Sequence, residues 1–501
     1  MKKAGKSVSY TDILKYTSLF GGVQALNILV GIVRNKLVAI ILGPYGMGLI
    51  SLFNSSIKLV SDSTNFGISM SGVKNISESY DKNDTVQLEQ DILLVRSWSV
   101  LTALIGLLLC VFLSPWLSRF TFSWNGHTLH FILLSPMVAL TAISGGELAI
   151  LKGVRKLRAL AKISIYNVVA ALFISVPLYY YFSAKAIVPS LVLTAFVQML
   201  ITVAYSFKLY PFKISTSRQI LKRGTAMIKL GIAFVVAGVM GSGSDFLIRS
   251  YLNNATSIDM VGLFSAGYMM TMTYVSMVFS AMETDYFPRL SGVCNRHFTF
   301  VQTVNRQIEV MLLVVAPLLV AFSVFLPILL PLLYTGKFAP ALGMMRIIII
   351  AMYFRAIKLP VQYIPLAKGD SRSYLLLEGI YSIIIVIAVV LCFSRWGLTG
   401  AGIAITSASF IDLVITFIYA RWHFNYSPSP VLYKYALVQI GVGLLTYLST
   451  VLTNQWIYWT SGLVLFILST IYSVYILRSK VEFVEKLQKK FGRIFGHTNQ
   501  Q

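Results

Sequence analysis

The sequence predicts an all-α polytopic membrane protein with about 14 transmembrane helices. The chain of 501 residues is 56% hydrophobic and 12% charged, whereas a soluble domain averages about 25% charged residues. Its apolar residues form stretches of about 20 or more, the length that a helix needs to cross a bilayer. Short basic loops separate these stretches, so the net charge of +24 indicates orientation in a membrane rather than binding of nucleic acid.

The predicted spans alternate with loops of unequal charge. They are residues 14–42, 46–72, 92–113, 128–150, 161–183, 187–207, 226–252, 259–286, 307–334, 342–366, 373–394, 400–422, 433–452 and 457–477. The first is too long for a signal peptide, so we expect it to remain as a span. Lys and Arg gather in loops on the N-terminal side, and the opposite loops hold only Arg119, Lys185, Lys337 and Arg395. Because cytoplasmic loops carry this excess, both termini are expected in the cytoplasm.

The sequence carries no motif for nucleotide hydrolysis or for a hydrolytic nucleophile. It lacks G-x-x-x-x-G-K-[ST] and G-x-S-x-G runs. Cys110, Cys294 and Cys392 lie far apart, without the spacing of a metal site, and none falls in a predicted outside loop. We therefore expect a transporter rather than an enzyme, with no cofactor, no metal and no disulfide.

The second predicted span carries polar residues where lipid is expected. In SLFNSSIKLVSDSTNFG, residues 51–67, the polar side chains recur every three or four positions, which places them on one arc of a helix about 100° wide. They are Ser51, Asn54, Ser55, Lys58, Asp62 and Asn65. This span is expected to have a wet face and an apolar face.

Ionisable residues also lie within other predicted spans, where each is costly unless it faces a cavity or a partner. The first span places Gln24, Asn27 and Arg34 on one stripe, and Lys36 is expected to reach the outer interface from another side. The other positions are Asp245 and Arg249 in the seventh span, Tyr268 and Glu283 in the eighth, Arg355 and Lys358 beside Pro360 in the tenth, and Asp412 alone in the twelfth. Lys58–Asp62 and Asp245–Arg249 are each four residues apart and can pair across one helical turn.

Two interpretations of these charges are open for any single pair: mutual pairing that holds helices together, or the lining of a water-filled cavity. For the whole set the cavity is favoured, because the charges concentrate on the first two spans of each half and on the tenth span. Cations outnumber acids near mid-span. A cavity of this kind suits an anionic cargo, and guanidinium groups match phosphate oxygens.

A faint internal repeat divides the chain. YGMGLISLF at 45–53 resembles DMVGLFSAG at 259–267, and ILKG at 150–153 resembles LAKG at 366–369. The predicted domains are an N-terminal six-helix lobe at 1–225, a C-terminal six-helix lobe at 226–425, two extra transmembrane helices at 426–478 and a basic cytoplasmic tail at 479–501. The tail is predicted to be either an interfacial helix on anionic lipid or a solvated segment.

Five runs carry a resemblance to a known family. They are RNKLVAIILGPYGMGLISLF (34–53), NFGISMSGVKNISESY (65–80), YFPRLSG (286–292), LAKGDSRSYLLLEG (366–379) and GLTGAGIAITS (397–407). The chain resembles the bacterial oligosaccharide-lipid flippases of the polysaccharide transport family, which include the O-antigen translocases. The resemblance implies the multidrug/oligosaccharidyl-lipid/polysaccharide exporter fold, with two six-helix lobes around a central cavity plus two C-terminal helices.

The resemblance also implies a cargo and its partners. The chain is expected to move undecaprenyl-diphosphate oligosaccharide repeat units from the inner to the outer leaflet of the bacterial cytoplasmic (inner) membrane, in O-antigen and lipopolysaccharide biosynthesis. Its expected partners are membrane lipids, a polymerase and other polysaccharide assembly proteins, without nucleic acid. The signature of the lipid II flippase after the first span is absent, so a peptidoglycan precursor is disfavoured.

The polar residues within the spans take their expected roles from this cargo. The expected diphosphate ligands are Arg34, Lys58, Arg249, Arg355 and Lys358; the expected sugar-lining residues are Gln24, Asn27, Asn54, Asn65 and Tyr268; the candidates for ion coupling are Asp62, Asp245 and Glu283. A drug/cation antiporter of the same superfamily is one alternative, and it would require an acidic cavity. A membrane glycosyltransferase or polysaccharide polymerase is another alternative, and it would require a sizeable outside loop.

Overall fold

The protein is almost entirely helical, as the sequence predicts. A computed structural model describes the backbone of residues 10–123, 125–215, 217–452 and 454–480, and some side chains within these helices, Gln24 and Glu283 among them, lie outside the description. No strand occurs in these described stretches. The predicted all-α class is confirmed.

The described residues form fourteen α-helices. They are α1 (Tyr10–Thr64), α2 (Ile68–Asp81), α3 (Thr85–Phe122), α4 (Thr128–Gly153), α5 (Leu157–Phe182), α6 (Ile187–Phe207), α7 (Arg218–Ala255), α8 (Ile258–Tyr268), α9 (Tyr274–Gly292), α10 (His297–Leu333), α11 (Leu342–Ala367), α12 (Ser371–Phe424), α13 (Pro430–Val451) and α14 (Gln455–Lys480). A π-helical turn at Met269–Thr273 joins α8 to α9.

Two of these helices are sharply kinked at a glycine. Gly43 in α1 has φ 64° and ψ −165°, and Gly397 in α12 has φ 55° and ψ −136°. Residues with a side chain rarely adopt such angles, so glycine permits the chain to reverse there. Each kinked helix therefore covers two predicted spans, namely 14–42 and most of 46–72 in α1, and 373–394 and 400–422 in α12.

The second predicted span ends earlier than expected. Instead of continuing to residue 72, α1 ends at Thr64, and the Asn65 Oδ1 atom accepts a hydrogen bond of 2.7 Å from the Gly67 amide. Gly67 has φ 68°, and a Cβ atom there would lie 2.7 Å from the Gly231 Cα atom of α7. A glycine turn packed against another glycine thus separates α1 from α2.

Nine segments of the described chain are long and apolar enough to cross a membrane. Three of them, Leu26–Thr64, Leu157–Phe207 and Ser371–Phe424, each contain parts of two predicted spans. The predicted spans 226–252 and 259–286 coincide with helices α7 to α9, which lie outside those nine segments. The multi-pass architecture is confirmed, and the number of 14 spans stays a prediction.

The chain forms two compact units. Among the described residues, unit 1 comprises 10–267, 330–341 and 378–398, and unit 2 comprises 268–329, 342–377 and 399–480. The predicted domain boundaries at 225, 425 and 478 stay predictions. The predictions for the 479–501 tail concern residues that, beyond Lys480, lie outside the description.

Unit 1 contains a buried ion pair that the sequence analysis missed. Arg96 of α3 is 2% exposed and Glu147 of α4 is 4% exposed. The Arg96 Nε and Nη2 atoms donate to the two Glu147 carboxylate oxygens at 2.9 and 3.2 Å. The same guanidinium donates to the carbonyls of Tyr210 (3.0 Å) and Pro211 (2.6 Å). Arg96 therefore holds the segment between α6 and α7 against α3 and α4.

Unit 2 is built around α10 and α11. Tyr353 of α11 is 1% exposed, and a Cβ atom at Gly443 would lie 2.8 Å from the Tyr353 Cζ atom, so α13 reaches α11 at a glycine. The Tyr286 hydroxyl donates to the Pro360 carbonyl at 2.8 Å. This contact fixes α9 against α11, the helix that carries Arg355 and Lys358.

Replacing Arg96 with Met is expected to destabilise the protein by about 3–5 kcal/mol, because it leaves the Glu147 carboxylate buried without its counter-ion. Thermal unfolding of the detergent-purified protein measures this. Arg155→Met is the matched control: Arg155 pairs with Asp81 at 2.7 Å, but both side chains are more than half exposed. The control should change stability by no more than about 1 kcal/mol. Equal melting of the two variants would contradict the clamp.

Candidate functional site

The polar face of α1 points away from the core of unit 1. Leu52, Phe53 and Ile57 are at most 2% exposed, whereas Asn54 is half-buried and Lys58 is exposed. Polar groups in a membrane helix are stable only next to water or a polar partner. The predicted apolar face is packed inside the protein, and the predicted polar face is less buried except at Ser55, which is 4% exposed and donates to the Leu52 carbonyl.

Helix α7 runs antiparallel beside this face and extends it. The Asp62 carboxyl of α1 lies against Gly238 and Ser242 of α7. Eleven residues earlier in α1, the Ser51 hydroxyl accepts a hydrogen bond of 2.7 Å from the Arg249 Nε atom of α7. The distance along the helix between these two contacts is about 16 Å. We call this surface the polar strip; its members are Ser51, Asn54, Lys58 and Asp62 of α1 and Ser242, Asp245 and Arg249 of α7.

The predicted Asp245–Arg249 pair is formed. The Arg249 Nη1 atom is bound by the Asp245 carboxylate one turn earlier, and the Arg249 side chain is 12% exposed against 36% for Asp245. The Arg249 guanidinium carbon also lies 5.9 Å from the centre of the Phe264 ring. Arg249 is thus held by α1, α7 and α8 at one end of the polar strip.

The predicted Lys58–Asp62 pair is not formed. Among the described residues, neither side chain takes part in an ion pair. The reason is that Asp62 turns toward Ser242 of α7, while the exposed Lys58 ammonium lies beyond ion-pair distance and acts on Asp62 only through its charge. Helical spacing permits an ion pair across one turn, but a neighbouring helix offers Asp62 a competing partner.

Arg34 and Asn27 lie on the other arm of α1, against α5. The Arg34 Nε atom donates to the Ser175 hydroxyl at 2.9 Å, and the guanidinium lies beside the buried Tyr179. The Asn27 Nδ2 atom donates to the Ser164 hydroxyl at 2.7 Å. No carboxylate of a described residue forms an ion pair with Arg34. A half-buried guanidinium that no described carboxylate neutralises is available to bind an anion.

Lys36 is held where α10 ends, and its expected reach to the outer interface stays a prediction. Its ammonium group donates to the Pro331 carbonyl at 2.6 Å and also to the Tyr334 carbonyl. Both carbonyls belong to the 330–341 segment of unit 1, where α10 ends. Carbonyls at a helix C-terminus lack partners within the helix and attract cations, which explains why Lys36 lies here.

In unit 2 a buried ion pair joins α11 to α12. The Lys358 Nζ atom lies 2.5 Å from the Asp412 Oδ2 atom, and the two residues are 8% and 4% exposed. Thr416 donates to the other Asp412 oxygen at 3.5 Å, and Arg355 lies close enough for its charge to act on Asp412. Asp412 is therefore alone on its own predicted span but paired across helices.

The remaining predicted residues have separate positions. Asn65 accepts the Gly67 amide in the turn after α1. Tyr268 is half-buried in unit 2, as the last residue of α8. The side chains of Gln24 and Glu283 lie outside the described residues. Lys58, Asn54, Asp62, Asp245 and Arg249 are thus gathered on the polar strip, whereas Asn27 and Arg34 lie against α5.

The fold of this chain is similar to that of solved transporters of the MOP superfamily. The lipid II flippase MurJ in an inward closed conformation matches with a TM-score of 0.70 and 14% identity, over 92% of this chain and 99% of that one. An inward-facing multidrug resistance MATE family transporter matches with a TM-score of 0.65 and 13% identity, over 82% and 96%. A MOP superfamily transporter from Pyrococcus furiosus matches with a TM-score of 0.58 and 13% identity, over 82% and 96%.

A family model describes the chain more specifically. The model of the polysaccharide biosynthesis protein family matches residues 37–342, more than half of the chain. The chain belongs to the polysaccharide biosynthesis protein family. A search of curated proteins finds no significant match to it.

Replacing Lys358 with Met is expected to cost about 3–5 kcal/mol of stability, because Asp412 would remain charged and buried. The double variant Lys358→Met, Asp412→Leu should recover most of this loss, since an apolar pair of similar volume needs no compensation. Thermal unfolding of the purified single and double variants measures the recovery. A double variant no more stable than the single one would show that Lys358 and Asp412 do not stabilise each other.

Proposed function

We propose that the protein is a flippase for lipid-linked oligosaccharides, which moves undecaprenyl-diphosphate repeat units from the inner to the outer leaflet of the bacterial cytoplasmic membrane. Membership of the polysaccharide biosynthesis protein family and the fold of MOP superfamily transporters support it. The observation that carries it is the polar strip: two adjoining helices of a membrane protein present charged and amide side chains away from the protein core.

The strip solves the energetic problem of such a cargo. Moving two phosphate charges and the sugar hydroxyls through hydrocarbon would cost tens of kcal/mol by the figures for burying polar groups. A hydrated surface along helices replaces part of the lost water with fixed donors and acceptors. The undecaprenyl chain remains in the bilayer, where its burial costs nothing.

In this proposal the cationic side chains bind the diphosphate. Lys58 is exposed, and no carboxylate of a described residue pairs with Arg34, so both can accept a phosphate without first losing a carboxylate. Arg249 must exchange Asp245 for the phosphate. Arg355 and Lys358 of unit 2 form the second proposed set, and the Lys358 ammonium would have to leave Asp412. Guanidinium groups favour this exchange because they bind phosphate with two parallel hydrogen bonds.

In this proposal amide and hydroxyl side chains contact the sugars. The proposed sugar contacts are Asn54 on the strip and Asn27, Asn65, Gln24 and Tyr268 elsewhere. The proposed carriers of a coupling ion are Asp62, Asp245 and Glu283. The orientation with both termini in the cytoplasm follows from the Lys and Arg bias of the loops.

Arg34→Gln should lower surface polysaccharide roughly ten- to hundredfold in a complementation assay, because a hydrogen bond to a charged group contributes about 1.5–3 kcal/mol. Arg34→Lys should retain part of the activity, since the charge remains. Arg119→Gln is the matched control, because Arg119 is exposed at the end of α3. Immunoblots establish equal protein levels. Full export by Arg34→Gln would refute the diphosphate role of this residue.

Asp62→Asn should uncouple transport from an ion gradient while leaving cargo binding intact. Asp62 is half-buried on the strip and takes part in no ion pair among the described residues, so it can bind a proton or a metal cation. The assay follows a fluorescent lipid-linked oligosaccharide in proteoliposomes, with and without imposed proton and sodium gradients. An unchanged gradient response of the variant would exclude Asp62 as the carrier, and drug efflux in place of lipid transport would favour the antiporter alternative.

A further inference from the structure

Helix α8 touches α1 so closely that only glycine fits at two positions. A Cβ atom at Gly48 would lie 2.0 Å from the Ile258 carbonyl oxygen, and one at Gly262 would lie 1.9 Å from the Pro44 carbonyl oxygen. One turn further along both helices, the Ser51 and Ser265 hydroxyls are 2.6 Å apart. All of these residues belong to unit 1. We call this contact the α1–α8 crossing.

The crossing is symmetric under the internal repeat. Ser51 and Ser265 are separated by 214 positions, and the same offset relates Pro44 to Ile258 and Gly48 to Gly262. Gly48 contacts Ile258, which is the repeat copy of Pro44, and Gly262, the repeat copy of Gly48, contacts Pro44. The repeat therefore converts each contact into the other. Reciprocal contacts of this kind occur where a two-fold axis passes through an interface. Ser51, bonded to its own repeat copy, marks that local axis.

Small residues make the closest contacts of the crossing. Glycines and serines allow two backbones to touch without side chains reaching between them. Such a contact can open without rearranging a core, unlike the packing of Leu52 and Phe53 on the other side of α1. Both helices begin close by, α8 at Ile258 and the second arm of α1 just after the kink at Gly43. The crossing thus lies at one end of the polar strip.

One side chain breaks the symmetry and joins the crossing to the strip. Arg249 donates to Ser51 at 2.7 Å, is bound by Asp245 and faces the Phe264 ring of α8. A phosphate offers a guanidinium two charged oxygens, whereas Ser51 offers a single neutral one. An anionic headgroup that arrives on the strip therefore competes with Ser51 for Arg249.

We propose that the α1–α8 crossing is a gate at one end of the polar strip and that Arg249 is its latch, which a lipid diphosphate releases by taking the guanidinium from Ser51. This inference rests on the proposed function for the identity of the releasing ligand. The gate itself requires only that cargo passes this end of the strip.

A reversible cross-link tests the gate. In a background with Cys110, Cys294 and Cys392 replaced, Ser51→Cys with Ser265→Cys should form a disulfide on oxidation, because the hydroxyls are already in contact. Oxidation should lower surface polysaccharide at least tenfold relative to the reduced form of the same variant, and a reductant should restore it. The matched control is Ser56→Cys with Thr121→Cys, whose hydroxyls are 3.5 Å apart and join α1 to α3. Oxidation of the control pair should leave export unchanged.

A labelling experiment on purified protein tests the latch. A single cysteine at position 265 keeps the Arg249–Ser51 bond, and its reaction with a water-soluble maleimide reports opening. Geranylgeranyl diphosphate should accelerate labelling at least fivefold, and geranylgeraniol should not. With Arg249→Gln, labelling should be fast without ligand and should no longer respond to it. Gly262→Ala, which wedges the crossing apart, should give fast labelling by a separate route.

The outcomes separate this inference from the proposed function. A disulfide between positions 51 and 265 that fails to form, or an oxidised protein that exports normally, overturns the gate. Labelling that ignores the diphosphate overturns the latch. Full export by Arg34→Gln together with a blocked oxidised pair would retain the gate and reject Arg34 as a diphosphate ligand, since the cross-link blocks any cargo.

Discussion

Every charged group on a membrane-spanning helix needs either a counter-charge or water, and this requirement organises the structure. Arg96 and Glu147, Lys358 and Asp412, and Asp245 and Arg249 meet it by pairing. Lys58 satisfies this requirement because its side chain is exposed. Lys36 satisfies it by donating to backbone carbonyls at the end of α10. Among the described residues, no carboxylate pairs with Arg34, which donates to Ser175 and lies beside Tyr179. These differences distinguish residues that hold the protein together from residues that can exchange their partner for a ligand.

The sequence predicts helices better than it predicts partners. Apolar length and the glycines at 43 and 397 suffice for the helices, because each span must satisfy its own backbone in lipid. The wet face of α1 follows from periodicity alone. Partners follow from which helix lies alongside, which periodicity does not encode. Asp62 therefore turns to α7 rather than to Lys58, and Arg96 with Glu147 escaped notice because their positions in the chain are more than forty residues apart.

The internal repeat is a second case in which the sequence pattern alone does not identify the contact. A nine-residue similarity between 45–53 and 259–267 is weak evidence by itself, since short matches arise by chance. The structure gives it a physical reason, because the shared glycine and serine of the two copies are the residues that touch. A signal was present in the sequence, but it became interpretable only when both copies were found in one contact.

The Arg96 clamp determines where α7 can bend. The connector between α6 and α7 is pinned to α3 at the Tyr210 and Pro211 carbonyls, at the Ser215 amide by Ser97, and at the Ile220 carbonyl by Trp98. A loop fastened at so many points is not a hinge, and the first turn of α7 moves with α3 as one piece. Any swing of the distal part of α7 is then expected to originate within the helix beyond Gly231, where Gly238, Gly241 and Gly243 leave the backbone least restrained. The fastened connector therefore shifts the expected site of bending from the loop into the helix that follows it.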